Sequence, residues 1–171
     1  MLKAKYFILL ICFSFLLKTE AKVTLTSIWG DNMVLQQQSE VTFSGTATSG
    51  KRVQATASWN NKKIQTNVDA KGEWKLSLQT PVAGGPYSIT FSDGEDLTLQ
   101  NILIGEVWFC SGQSNMEMPV AGWGKVMNYE KEIAEAIYPS IRLLQVKKVI
   151  SHVPSEKLEI NGDGWKECSP S

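Results

Sequence analysis

Short β-prone runs, each closed off by turn-forming residues, fill residues 22–104, and this pattern constrains the fold more than any other feature of the chain. The expected strands cover residues 23–28, 41–44, 53–59, 62–68, 74–78, 87–91 and 97–103, a spacing that suits a β-sandwich. Asn60-Asn61 suits the positive φ of a tight hairpin, while Asp69-Ala70-Lys71-Gly72, Gly84-Gly85-Pro86 and Asp93-Gly94 supply further reversals. Trp74, Leu76 and Leu78 alternate with Lys75, Ser77 and Gln79, which predicts one buried and one wet face. With 43% of its 171 residues apolar, the chain can fill the core that such faces need.

From Gly105 onward the pattern changes. Residues 107–110 form a continuous apolar run, as in a strand covered on both faces of a parallel sheet. Asn128 is an expected helix cap, with Glu130 and Glu132 in the first turn and Tyr129, Ile133, Ala136 and Ile137 along one face. Pro139 ends that helix, and residues 141–146 read as a second strand, so 107–146 is expected to make one βαβ unit. Two strands and one helix cannot cover both faces of a parallel sheet. Residues 105–171 are therefore expected to be the start of an α/β domain, present in a truncated product or fragment.

The N-terminus predicts export. Lys3 and Lys5 precede an apolar stretch over residues 6–17, too short to span a bilayer, which takes about 20 residues. Small residues at Thr19 and Ala21 complete a secretory signal, residues 1–21, cleaved after Ala21, so the product is expected in the periplasm or outside the cell with no stable membrane span. Basic and acidic residues balance at 17 each, which argues against a nucleic-acid partner, since phosphate binding wants a clustered positive excess. Cys110 and Cys168 remain after cleavage. The compartment permits a disulfide, but an apolar run and a polar tail are poor partners. One histidine and two cysteines furnish no plausible metal site, and no cofactor is expected.

The sharpest motif is Cys110-Ser111-Gly112-Gln113-Ser114-Asn115-Met116, directly after the expected buried strand. Ligands of open α/β sheets bind beyond the carboxyl ends of strands, where Ser114 falls. A nucleophile in a strand-to-helix turn can also use its own N–H to hold an oxyanion. Met116 replaces the last glycine of a Gly-x-Ser-x-Gly elbow, and on generic grounds such a serine is most often a turn residue or a cap. Gln113 and Asn115 can shape a pocket or bond the turn's own backbone. Met116, Met118 and Trp123 can wall an acetyl group or simply pack, whereas Trp59, Trp74 and Trp108 sit at strand positions that predict core packing.

The whole block from Gly105-Glu106-Val107-Trp108 through Gly112-Gln113-Ser114-Asn115-Met116-Glu117-Met118-Pro119 resembles the nucleophile block of the sialate O-acetylesterases, within the SGNH (GDSL-like) hydrolase superfamily. Asp31-Asn32-Met33-Val34-Leu35-Gln36 and Ala83-Gly84-Gly85-Pro86-Tyr87 resemble the β domain that precedes the esterase domain there. The resemblance implies a flavodoxin-like α/β esterase domain behind a β-sandwich. It also implies an exported serine esterase that removes O-acetyl groups from sialic acid or related glycans, with Ser114 as nucleophile and Gly112, Gln113 and Asn115 around the oxyanion or pocket. The superfamily's base lies in an Asp-x-x-His block. Here the single histidine is His152, with Val149 three residues before it, so that block is missing and this chain alone is expected to be inactive. His152 reads better as a solvated loop residue. The alternative function is a non-catalytic exported module, carbohydrate-binding or structural, built on residues 22–104.

Overall fold

Alternation builds the first sheet. Strands β1 (Thr24–Leu25), β3 (Glu40–Thr46) and β6 (Glu73–Gln79) associate in the order β1-β3-β6, all antiparallel. The in-facing residues of β6 are Trp74, Leu76 and Leu78, as the sequence predicts, and Phe43 stands opposite Leu76 across the ladder. The computed structural model describes residues 22–154 and 158–170. The expected export segment, residues 1–21, lies outside them.

The second sheet has five strands in the order β2-β8-β7-β4-β5, from β2 (Val34–Gln36), β4 (Arg52–Ala57), β5 (Lys63–Asn67), β7 (Gly84–Ser92) and β8 (Asp96–Gly105). It is mixed, because β2 runs parallel to β8 while the other neighbours are antiparallel. Gly84-Gly85-Pro86, expected as a reversal, instead opens β7, where Gly84 pairs with Ile104 of β8. The reversals on either side of β5 use the expected chemistry. Asn61 takes a positive φ of 54° between β4 and β5, and Asp69 Oδ1 accepts the N–H groups of Lys71 and Glu73, each at 2.8 Å, between β5 and β6.

A bulge in β8 sets what its side chains can reach. Leu99 faces the core, but two residues later Asn101 adopts φ 56°, the pairing with β7 shifts, and the inward positions become Ile102 and Ile104. One extra residue in one strand flips the side-chain parity beyond it. Asn101 tolerates that left-handed conformation, and its carboxamide bonds outside the sheet, to Asn32, Arg142 and Glu167.

The core joins the two sheets. The Phe91 ring on β7 lies 5.2 Å from that of Phe43 on β3 and 5.6 Å from that of Trp74 on β6, and Phe43 also meets Trp29 at 4.5 Å. Every fully buried apolar residue falls between Val23 and Ile104, among the described residues.

Beyond Gly105 three expectations are corrected. Residues 107–110 form no strand, and Trp108 and Phe109 are 84% and 87% exposed, so Trp108 is not a core residue as its apolar run predicts. A strand exists only through its partners, and no described segment pairs with this run. The helix, α1, is limited to Tyr129–Ala134, and Asn128 before it has φ 58° with no side-chain capping bond. The strand after it, β9 (Tyr138–Leu143), begins earlier than expected and pairs antiparallel with β10 (Lys166–Cys168), not parallel with 107–110, so no βαβ unit forms among the described residues. No helix in the described residues is long and apolar enough to cross a membrane.

The β9–β10 ribbon docks on the β unit through polar anchors. The Arg142 side chain is only 3% exposed and pairs with Glu167 at 3.2 Å. Its guanidinium also donates to Asn32 O and Asn101 Oδ1. Trp165 Nε1 donates to Ile28 O at 2.8 Å, and Ser27 Oγ donates to Leu158 O.

Candidate active site

The segment carrying Ser114 is rooted at the end of β8. Gln37 N donates to Gly105 O at 2.8 Å, just beyond the parallel pairing of Gln36 with Gly105. Gln36 Nε2 and Gln37 Nε2 then reach separate oxygens of the Glu106 carboxylate, at 3.0 and 2.6 Å. Gln36 Oε1 accepts the Val107 N–H at 2.9 Å, and Gln37 Oε1 accepts the Ala83 N–H at 2.9 Å. The Gln36 and Gln37 amides, in that order of weight, hold the Glu106 carboxyl below its ordinary value of 4.5. Thr80, buried behind this turn, donates to Gln36 O at 2.7 Å and accepts the Ser39 N–H at 3.0 Å.

Ser114 opens a one-turn 3-10 helix, Ser114–Glu117. Met116 N donates to Gln113 O and Met118 N to Asn115 O, so the main-chain oxygens on either side of Ser114 are used within the turn. Gln113 occupies the cap position in extended geometry without a side-chain bond to the helix. Ser114 is exposed, and no hydrogen bond to its hydroxyl occurs among the described residues. His152 lies in the exposed stretch after β9, likewise with no bond to Ser114 among the described residues.

The loop beyond is closed by its own side chains. A Cβ on Gly112 would meet Met116 Cγ at 2.8 Å, and one on Gly124 would collide with Met118, so these two methionines lie over glycines. Both remain about half exposed, and Trp123 is 70% exposed. Val126 N donates to Val120 O at 3.0 Å, and Lys125 Nζ stands 4.9 Å from the Tyr129 ring centre. Lys148 pairs with Glu117, tying the end of the 3-10 turn to the chain after β9. Farther along, Glu159 raises Lys147 above its ordinary 10.5, by hydrogen bond first and by charge second.

Of the expected site residues, Gly112, Gln113, Ser114, Asn115 and Met116 are gathered in one exposed turn, with Met118 and Trp123 in the loop that follows. Among the described residues no cluster of His, Cys, Asp or Glu could hold a metal ion, and Cys110 and Cys168 are both free thiols. The amide clamp on Glu106 has no local signature, because its partners stand about 70 residues apart in the chain.

The chain matches no protein-family profile. It is 32% identical to the sialate O-acetylesterase of Mus musculus, with 79% of this chain and 26% of that protein covered. It is 30% identical to the sialate O-acetylesterase of Homo sapiens, covering 75% of this chain and 26% of the other. Among solved structures, a carbohydrate acetylesterase from Xanthomonas citri superposes with a TM-score of 0.77 at 30% identity, covering 86% of this chain and 33% of that one. The chain thus spans about a quarter of the length of the curated relatives it matches.

Proposed function

Because the chain belongs to the sialate O-acetylesterase family over the stretch it shares with those proteins, we propose that it is the nucleophile-bearing part of an exported esterase. Its substrate is O-acetylated sialic acid or a related acetylated glycan. In this reading residues 1–21 direct export, residues 22–104 form a β-sandwich domain, and residues 105–171 open an SGNH-type α/β esterase domain. The observation that carries it is Ser114 itself: an exposed serine with an uncommitted hydroxyl, first in a one-turn helix, on a segment whose root is fixed by Gln36 and Gln37.

Chemically, Ser114 Oγ attacks the acetyl carbonyl while a histidine takes its proton. The sugar alcohol leaves with that proton, and water then releases acetate from the acyl-enzyme. The Ser114 N–H is one oxyanion donor, Gly112, Gln113 and Asn115 line the oxyanion side, and Met116, Met118 and Trp123 wall the acetyl group. The base and its orienting aspartate are not assigned within these 171 residues, which carry no Asp-x-x-His block; His152, the single histidine, makes no bond with Ser114 among the described residues.

A second reading, a non-catalytic glycan-binding module, draws support from the confinement of the buried core, among the described residues, to residues 23–104. Acetate release separates the two. The test compares this chain with a product read on through the coding sequence downstream of residue 171. The chain alone should stay at background, and the longer product should turn over and lose about 10⁴-fold or more on Ser114→Ala. Turnover by the short chain that requires both Ser114 and His152 would reassign the base; glycan binding without turnover in either form would favour the module.

A further inference from the structure

Two consecutive glutamines grip one carboxylate from two sides, and each glutamine uses its other end on a different main-chain N–H. Gln36 spans Glu106 and the N–H of Val107; Gln37 spans Glu106 and the N–H of Ala83. Every side-chain oxygen in this set has a partner: the two oxygens of one carboxylate meet two NH₂ groups whose own amide oxygens are already occupied. The glutamines are themselves held, through Thr80 at Gln36 O and through Gly105 O at Gln37 N. Beyond Val107 no described bond attaches residues 108–112 to the β unit, so the clamp is the last fixed point before Ser114.

We infer that Gln36, Gln37 and Glu106 are positioning residues for the nucleophile: their interlocked hydrogen bonds set where, and in which direction, the segment bearing Ser114 leaves the β unit. The inference rests on the reading of Ser114 as nucleophile. A catalytic serine displaced by about 1 Å can lose on the order of 10²-fold in rate. The run between Val107 and the 3-10 turn makes no described hydrogen bond to the β unit, so nothing else there opposes displacement once its root is released.

The clamp's polarity gives a specific test. Glu106→Gln sets an amide against two amide donors, so one bond is lost, because Gln36 Oε1 is already used by Val107 N–H. Gln36→Glu alone opposes two carboxylates. The double variant Q36E/E106Q restores the whole set: the new carboxylate at position 36 accepts from Val107 N–H and from the new amide at position 106, whose oxygen accepts from Gln37. Hydrogen exchange of this chain should show protection around Val107 falling roughly tenfold in each single variant and returning in the double, with β7 and β8 unchanged. In the longer product, E106Q should lower kcat about tenfold or more at unchanged KM, and Q36E/E106Q should recover it. Single variants with wild-type exchange, or a double no better than the singles, overturn the clamp. Unchanged kcat in a product whose turnover requires Ser114 overturns the positioning role and leaves the nucleophile intact. Turnover that survives S114A overturns the nucleophile reading itself, whatever exchange shows.

Discussion

Arg142 donates from Nη1 to the main-chain oxygen of Asn32, 110 residues earlier in the chain, at 3.3 Å. The same guanidinium meets Asn101 Oδ1 and Glu167, while Asn101 Nδ2 returns to Asn32 Oδ1 at 2.7 Å and to Glu167 at 2.9 Å. Asn32 and Asn101 both have positive φ, at 63° and 56°, so two locally irregular residues present their polar groups to one cation. The bulge in β8 is what frees Asn101 for this role. The β9–β10 ribbon, which buries little apolar surface, is thus held to the β unit by a polar node centred on Arg142.

Removing the cation should undo that docking. Arg142→Met leaves Asn32 O and Asn101 Oδ1 without their donor and Glu167 with Asn101 Nδ2 but no cation, at an expected cost of about 2 kcal/mol, kept below the value for a fully buried pair because Glu167 is half exposed. Arg142→Lys should recover only part of it, since one ammonium cannot reproduce a planar fork. Urea unfolding measures the loss. Hydrogen exchange should show it concentrated in residues 138–143 and 166–168.

Two phenylalanines should behave oppositely. Phe43 is fully buried between Trp29 and Phe91, so Phe43→Ala should cost about 3–5 kcal/mol. Phe109→Ala, at a residue 87% exposed, should change the stability of this chain by less than about 0.5 kcal/mol. Denaturant midpoints at constant m-value give both numbers. Equal effects would mean that the run over residues 107–110 is packed in solution.

The contrast explains what could be read without coordinates. Trp74, Leu76 and Leu78 declare their strand because a half-buried strand writes its own period. The strand over residues 97–103 is read as regular, and the β8 bulge at Asn101 emerges only from its pairing with β7. Residues 107–110 are apolar enough for a buried strand, but apolarity does not tell whether a partner strand stands beside them. Residues 34–36 are too few to show a period, so β2 stays hidden. Ser114 is visible through its motif, whereas the grip of Gln36 and Gln37 on Glu106 and the Arg142 node depend on chain segments brought together only by folding.

Gly45 marks the closest approach of β1 and β3. A Cβ there would overlap Thr24 O, a main-chain atom that cannot rotate away. Gly45→Ala should therefore destabilise the protein by about 3 kcal/mol or displace β1, whereas Gly50→Ala, with open space around it, should cost less despite its φ of 77°. Thermal unfolding of the two variants checks the order. Loss of protection at Leu25 would separate displacement of β1 from global weakening.

The two shifted groups predict opposite pH dependences. Glu106 is held below its ordinary value of 4.5 by Gln36 and then Gln37, so its clamp is fully present above that value and is lost as the pH falls through the lowered one. Lys147 is raised above 10.5 by its hydrogen bond to Glu159 and then by that charge, so its contribution is present below 10.5 and is lost as the pH rises through the raised value. Both groups are solvent-exposed, and both effects should be small and weakened by salt. Wild type and E106Q should differ most near neutrality and converge in acid, where a protonated Glu106 offers the glutamines little more than an amide does. A stability difference that stays constant down to about pH 3, well below the ordinary carboxylate range, would show that the ionised carboxylate is not what Gln36 and Gln37 hold.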